Sequence, residues 1–235
     1  IIVPPVDGVA GMGDCDPGDF LKLPPNCGQV PLTPTNGWID GQNAAHIQGA
    51  VFAFADATSA LGMSMDFTGA NACIQGTAAK VDMASEACLN HTFTPPATDC
   101  YGEYWGAAIG MNLNQTIDPT TMMGNTPAPF DASALQGFSF ELTGNVLPGP
   151  NALRFVVENE DKQFCNPSSV KLRAGSNTVL FSELFSRCFT TTDPPQPSAE
   201  TVKSALIRIS WQVVTNSSST TPFDFCVSNV RALPR

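Results

Sequence analysis

Two histidines, His46 and His91, stand far apart in text without period, and none of the eight cysteines at 15, 27, 73, 88, 100, 165, 188 and 226 shows CxxC spacing. Spacing therefore points to no transition-metal ligand set and no redox pair. Nucleophilic chemistry has no more to stand on, because GxSxG, HExxH, a P-loop and a GxGxxG after a strand are all missing. The 21 acidic residues offer many carboxylate pairs for glycoside hydrolysis, Glu141 and Glu158 among them, but no spacing singles one out. Catalysis is not expected. The chemistry that remains is recognition. Trp38, Trp105, Trp211, Tyr101 and Tyr104 are all the indoles and phenols in the chain. Flat rings beside forked donors and acceptors could hold a ligand by stacking and hydrogen bonding.

Positioning such groups falls to strands. Of 235 residues, 43% are apolar and 14% charged, which suits a chain with a real core, while 19 glycines and 20 prolines punctuate it too often for long helices. Short β-like runs separated by turn clusters cover Ile47–Ala55, Ala72–Val81, Tyr104–Asn114, Gly137–Thr143, Ala152–Asn159, Val170–Arg173, Asn177–Phe181, Ser204–Thr215 and Phe223–Ala232. Ser182–Arg187 could form one helical turn capped by Ser182. The fold class expected is all-β, an antiparallel β-sandwich.

Alternation assigns the faces. In Ser204–Thr215, Ala205, Ile207, Ile209, Trp211 and Val213 share the core face, leaving Arg208, Ser210 and Gln212 on the other. In Ala152–Asn159, Leu153, Phe155 and Val157 point inward, and Arg154, Val156 and Glu158 outward. Trp105 shares a face with Ile109, Met111 and Leu113, so it too is expected in the core, with Asn112 and Asn114 opposite. Tyr101 and Tyr104 flank a loop and are the better stacking candidates. Arg154, Arg208 and Gln212 are the candidate donors on the open sheet face. Alternation alone leaves open whether that half-polar face is a ligand platform or simply solvated.

Eleven basic against 21 acidic residues give a net charge of −10, which repels phosphate backbones and anionic lipid surfaces. Nucleic acid is not an expected partner, and no apolar run is long enough to span a membrane. An even number of cysteines without metal spacing reads as disulfides formed in an oxidising compartment. Cys165–Cys188 and Cys15–Cys27 are the pairs expected first, since the former border neighbouring strands and the latter lie close in sequence. Residues 1–36 hold seven prolines and no period, and read as a leader beside one domain over 37–235. The opening residues show no signal-peptide pattern, so a mature chain with its export signal removed is expected. Asn90-His-Thr, Asn114-Gln-Thr and Asn216-Ser-Ser fit the glycosylation pattern.

Several strand texts, taken in order, resemble one family. Trp105-Gly-Ala-Ala-Ile-Gly-Met-Asn-Leu-Asn is similar to the WGAGIGxxLN strand of galactose-binding-like jelly-roll domains in secreted bacterial proteins, many of them carbohydrate-binding modules. Phe130-Asp-Ala-Ser-Ala-Leu-Gln-Gly-Phe-Ser-Phe, Leu153-Arg-Phe-Val-Val-Glu-Asn, Thr178-Val-Leu-Phe-Ser-Glu-Leu, Ser204-Ala-Leu-Ile-Arg-Ile-Ser-Trp-Gln-Val and Pro222-Phe-Asp-Phe-Cys-Val-Ser-Asn-Val resemble its later segments. Ile47-Gln-Gly-Ala-Val-Phe-Ala-Phe-Ala-Asp resembles the version seen in myxobacteria, with Val51, Phe52 and Phe54 in place of more polar aromatics. The resemblance implies a jelly roll and a non-catalytic domain, secreted or held at the outer cell surface. Such a domain would bind a neutral polysaccharide or oligosaccharide on its concave sheet, as a monomer. The alternative it leaves is a structural or adhesive domain on the same scaffold. In related domains Asp40, Asp56, Asp224 and Asn229 would fall where a structural calcium ion is held. Ser228-Asn229, standing in place of two aspartates, weakens that site.

Overall fold

The computed structural model describes residues 28–62, 66–67, 70–81, 104–145, 153–167, 171–186 and 197–235. Apolar residues at every second position give most of the long strands one buried face, and the described strands form two antiparallel sheets. The first sheet runs in the order β10 (Gly175–Leu180), β7 (Leu135–Asn145), β13 (Thr221–Pro234), β5 (Ala72–Ala78) and β4 (Ala60–Leu61), with β1 (Val30–Pro31) also pairing β13. The second runs β11 (Phe185–Ser186), β9 (Gln163–Cys165), β8 (Leu153–Glu158), β12 (Arg208–Val213), β6 (Ala107–Asn112), β3 (Gly49–Ala55) and β2 (Trp38–Ile39). Successive long strands cross from sheet to sheet, β3 to β5 to β6 to β7 to β8, and later β10 to β12 to β13. This is a β-sandwich of jelly-roll type, as expected.

The core lies between the sheets and takes residues from both. At its centre Phe140 stacks on Phe155 with ring centroids 5.1 Å apart, and both meet the edge or face of Trp211, at 5.2 and 5.6 Å. Trp211 is fully buried, as its alternation predicts. Leu206 rather than Ile207 is buried beside it. The cause is local: Lys203–Ala205 is a 3-10 turn, so the pleat that sets the alternation begins only at Arg208.

Two further expectations are corrected. Lys171–Arg173, the described part of the strand expected at 170–173, carries no strand. The turn expected to be capped by Ser182 is a 3-10 helix over Phe181–Glu183, which takes Ser182 inside it, and Phe185–Ser186 returns to strand. The Glu183 carboxylate supplies the cap by accepting the Leu180 N–H at 2.8 Å. The leader lies outside the described residues up to 27, and Val30 within its last part pairs with Ala232 of β13.

All the cysteines among the described residues are bonded. Cys73 joins Cys226, a pair that spacing did not suggest, with Cα atoms 4.0 Å apart across β5 and β13. The register explains it. Cys73 exchanges both its backbone hydrogen bonds with Asp66, so it faces Cys226 as a non-hydrogen-bonded pair, where the side chains of neighbouring strands come closest. Cys165 is disulfide-bonded. The expected Cys165–Cys188 and Cys15–Cys27 pairings involve positions outside the described residues. No helix among the described residues is long and apolar enough to cross a membrane.

Candidate ligand-binding face

The outer face of the seven-stranded sheet gathers the candidate residues in three rows. Register places Arg154 opposite Gln212, and Gln212 opposite Ala108, with Phe54 next across β3. The middle row is Phe52, Gly110, Ser210, Val156 and Cys165. The last holds Asn112, Arg208, Glu158 and Gln163. Three of the five predicted binding residues, Arg154, Arg208 and Gln212, therefore share one surface. Arg154 and Gln212 are direct neighbours, and Arg208 lies roughly 13 Å along β12 at about 3.3 Å per residue. Tyr104 is half-buried just before this face, its carbonyl accepting the Thr215 hydroxyl. Tyr101 is outside the described residues.

Trp105 is corrected from core to this outer face. Gly106 has φ +113°, and a Cβ there would stand 1.9 Å from the Val213 carbonyl oxygen. The chain turns at this glycine, so the alternation of β6 does not extend back through it. Trp105 instead lies half-buried against Phe54, with ring centroids 5.1 Å apart, and Phe54 lies 5.4 Å from Phe52. A continuous line of three aromatic rings results, running along β3.

A second glycine makes room for the arginine. A Cβ on Gly110 would meet Phe54 Cε1 at 2.9 Å, Phe52 Cζ at 3.0 Å and Arg208 Cδ at 3.3 Å. The two rings and the arginine stem thus lie over it. The Arg208 guanidinium sits 5.0 Å from the Phe52 ring centroid and 5.4 Å from that of Phe54, within cation–π range.

Hydrogen bonds orient that guanidinium. Arg208 Nε donates to Asn112 Oδ1 at 3.0 Å, and its Nη1 pairs with Glu158 at 3.0 Å. Asn112 Nδ2 donates to Gln115 Oε1 at 2.9 Å, which also accepts the Ala50 N–H at 3.0 Å, while Gln115 Nε2 donates to the Asn125 carbonyl at 2.8 Å. Each amide in this chain satisfies both of its neighbours in one orientation only. Gln212 Nε2 donates to the Trp105 carbonyl at 3.0 Å, tying the aromatic line to β12. Burial lowers the pKa of Arg154 below the usual guanidinium range, because desolvation disfavours the charged form.

The residues expected to hold calcium are not brought together. Asp56 is buried and spends its carboxylate on the Thr58 and Ser59 N–H groups, the Thr58 hydroxyl and the Gly106 N–H. Asp40 accepts the Gln42 N–H at the end of β2, in the other sheet from Asp224 and Asn229. Those last two are five residues apart on β13, and Asn229 donates to Glu141. Among the described residues no group of three or more His, Cys, Asp or Glu side chains could hold a metal ion.

Alternation alone could have found Phe52 and Phe54, since Val51 before them is core and Ala53 between them packs against it. Gln115 lies beyond the strand and could not be placed without the loop that follows it. Asn114, weighed beside Asn112, donates to the Pro129 carbonyl and so serves the loop.

No protein-family model matches the sequence, and no curated protein matches it. Among solved structures the chain is similar to the family 11 carbohydrate-binding module of the cellulosomal cellulase Lic26A-Cel5E of Clostridium thermocellum. Identity is 10% and the TM-score 0.41, over 79% of this chain and 88% of the module. It is also similar to a family 11 module from Clostridium thermocellum in complex with a β-1,3-1,4-mixed-linked tetrasaccharide, at 11% identity and a TM-score of 0.41, over 87% of this chain and 96% of that one.

Proposed function

We propose that this chain is a non-catalytic carbohydrate-binding domain that takes a neutral glycan on the outer face of its seven-stranded sheet. The observation that carries the reading is the line of half-buried rings Phe52, Phe54 and Trp105, set beside the donors Arg208, Gln212 and Arg154. Such rings cover the C–H faces of sugar residues. Of the five N–H donors on Arg208, two are used by Asn112 and Glu158, which leaves others for hydroxyls. A secreted or cell-surface setting belongs to the same proposal, supported by the disulfide bonding of Cys73, Cys165 and Cys226.

One observation favours a second reading, a structural or adhesive domain without a glycan. The middle of the face is covered, with Ala108 1%, Val156 2%, Asn112 4% and Ser210 5% exposed. Affinity electrophoresis against mixed-linkage β-glucan, xyloglucan, galactomannan and arabinoxylan separates the two. Retardation of the wild-type protein by one of these is expected, weakened about tenfold (~1.4 kcal/mol) in Trp105→Ala. If none of the panel retards the wild-type protein, the structural reading holds.

A further inference from the structure

The described residues expose three large hydrophobic side chains, and all three lie on one loop: Ile117 at 40%, Met122 at 74% and Met123 at 69%. Their backbone is ordered by its own hydrogen bonds. Ile117 bridges Gly124, the Asp118 N–H reaches the Met123 carbonyl and the Met122 N–H reaches the Asp118 carbonyl, each at 2.8 Å. The Asp118 carboxylate accepts the Thr120 N–H at 2.7 Å. Met122 holds φ +58°, a left-handed conformation that a methionine takes only where its surroundings impose it. The loop thus holds apolar side chains in water in a set geometry, which ordinary solvation does not favour.

The loop is also fastened to the candidate face. Gln115, which accepts from outward-facing Asn112, donates to Asn125 at the loop's return, and a Cβ on Gly124 would stand 2.6 Å from Gln115 Nε2. Gly124 is therefore seated on the same amide that orients Arg208 through Asn112. Along β3 and β6 the order is Trp105, Phe54, Phe52, then Asn112 and Gln115, then the loop.

We propose that the Ile117–Gly124 loop is a second contact element for the same saccharide chain, laying Met122 and Met123 against sugar faces beyond the end of the aromatic line. The proposal rests on the reading of the face given above. A methionine side chain is apolar, unbranched and adaptable, and suits the uneven C–H surface of successive sugar residues. Neither a nucleic acid nor an anionic lipid surface fits a tip whose one charged group is Asp118, in a chain of net charge −10.

The experiment uses whichever panel polysaccharide retards the wild-type protein. Hydrogen peroxide oxidises a thioether to its sulfoxide and is itself reduced to water, and mass spectrometry follows the product at each methionine. Saturating polysaccharide should slow sulfoxide formation at Met122 and Met123 several-fold. The double variant Met122→Ser, Met123→Ser should bind about tenfold more weakly with an unchanged melting temperature, whereas Met122→Leu, Met123→Leu should keep its affinity. If the wild-type protein binds while both thioethers oxidise at the unliganded rate and the serine variant binds equally well, the loop inference fails and the face stands. If no polysaccharide retards the wild-type protein, both fail. Concentration-dependent self-association of the wild-type protein that the serine variant abolishes would assign the tip to a second copy and overturn the proposal.

Discussion

Gly106 determines which way Trp105 faces, and so whether the aromatic line has two members or three. Its φ of +113° is open to glycine and strained for any other residue, and an added Cβ would be driven to 1.9 Å from the Val213 carbonyl oxygen. That neighbour is backbone in the central strand β12 and cannot turn aside. The Gly106 N–H also donates to buried Asp56 at 2.6 Å, so a shift of this residue would leave a buried carboxylate short of a donor. Gly106→Ala should accordingly lower stability by more than about 3 kcal/mol, read as a fall in the denaturant midpoint at constant slope. A variant with the wild-type midpoint would show that the turn at Gly106, and with it the outward placement of Trp105, is wrong.

At the scale of elements, the Cys73–Cys226 bond closes 153 residues between β5 and β13. Replacing both cysteines by alanine should cost about 2–5 kcal/mol, since a bridge over so long a loop constrains the unfolded chain most. Equilibrium unfolding of the variant beside the wild-type protein measures it, and equal midpoints would show that this bridge constrains nothing. The bridge also marks where reading the residues stops. Strands that bury one face, such as Leu153–Glu158, declare themselves by period. Trp211 could be placed in the core and Arg154, Arg208 and Gln212 on a common face for the same reason. What period does not carry is which strands become neighbours, and the facing of Cys73 and Cys226 is a fact of register alone. Period also fails wherever the pleat stops. It misplaced Trp105 because Gly106 breaks the strand, and Ile207 because a 3-10 turn precedes Arg208. Two-residue strands such as Trp38–Ile39 and Phe185–Ser186 are too short to show any period.

Across the whole molecule, one apolar cluster reaches from Val30 to Ala232 and takes side chains from both sheets, so neither sheet has a core of its own among the described residues. Val157, Ile209 and Trp211 face this cluster while Glu158, Arg208 and Gln212, beside them on the same strands, face outward. The candidate face and the core are therefore two sides of one set of strands. Unfolding under oxidising conditions should then be a single transition whose calorimetric and van't Hoff enthalpies agree. A ligand held by the outer face cannot stabilise that face alone. At a hundredfold excess over its dissociation constant it adds about 2.7 kcal/mol to folding, and in a domain of this size each kcal/mol raises the melting temperature by roughly 2–4 °C. The retarding polysaccharide should thus shift the entire transition upward by roughly 5–10 °C while leaving its shape single. Two transitions, or a shift confined to part of one, would mean that the strands bearing the aromatic line unfold apart from the rest.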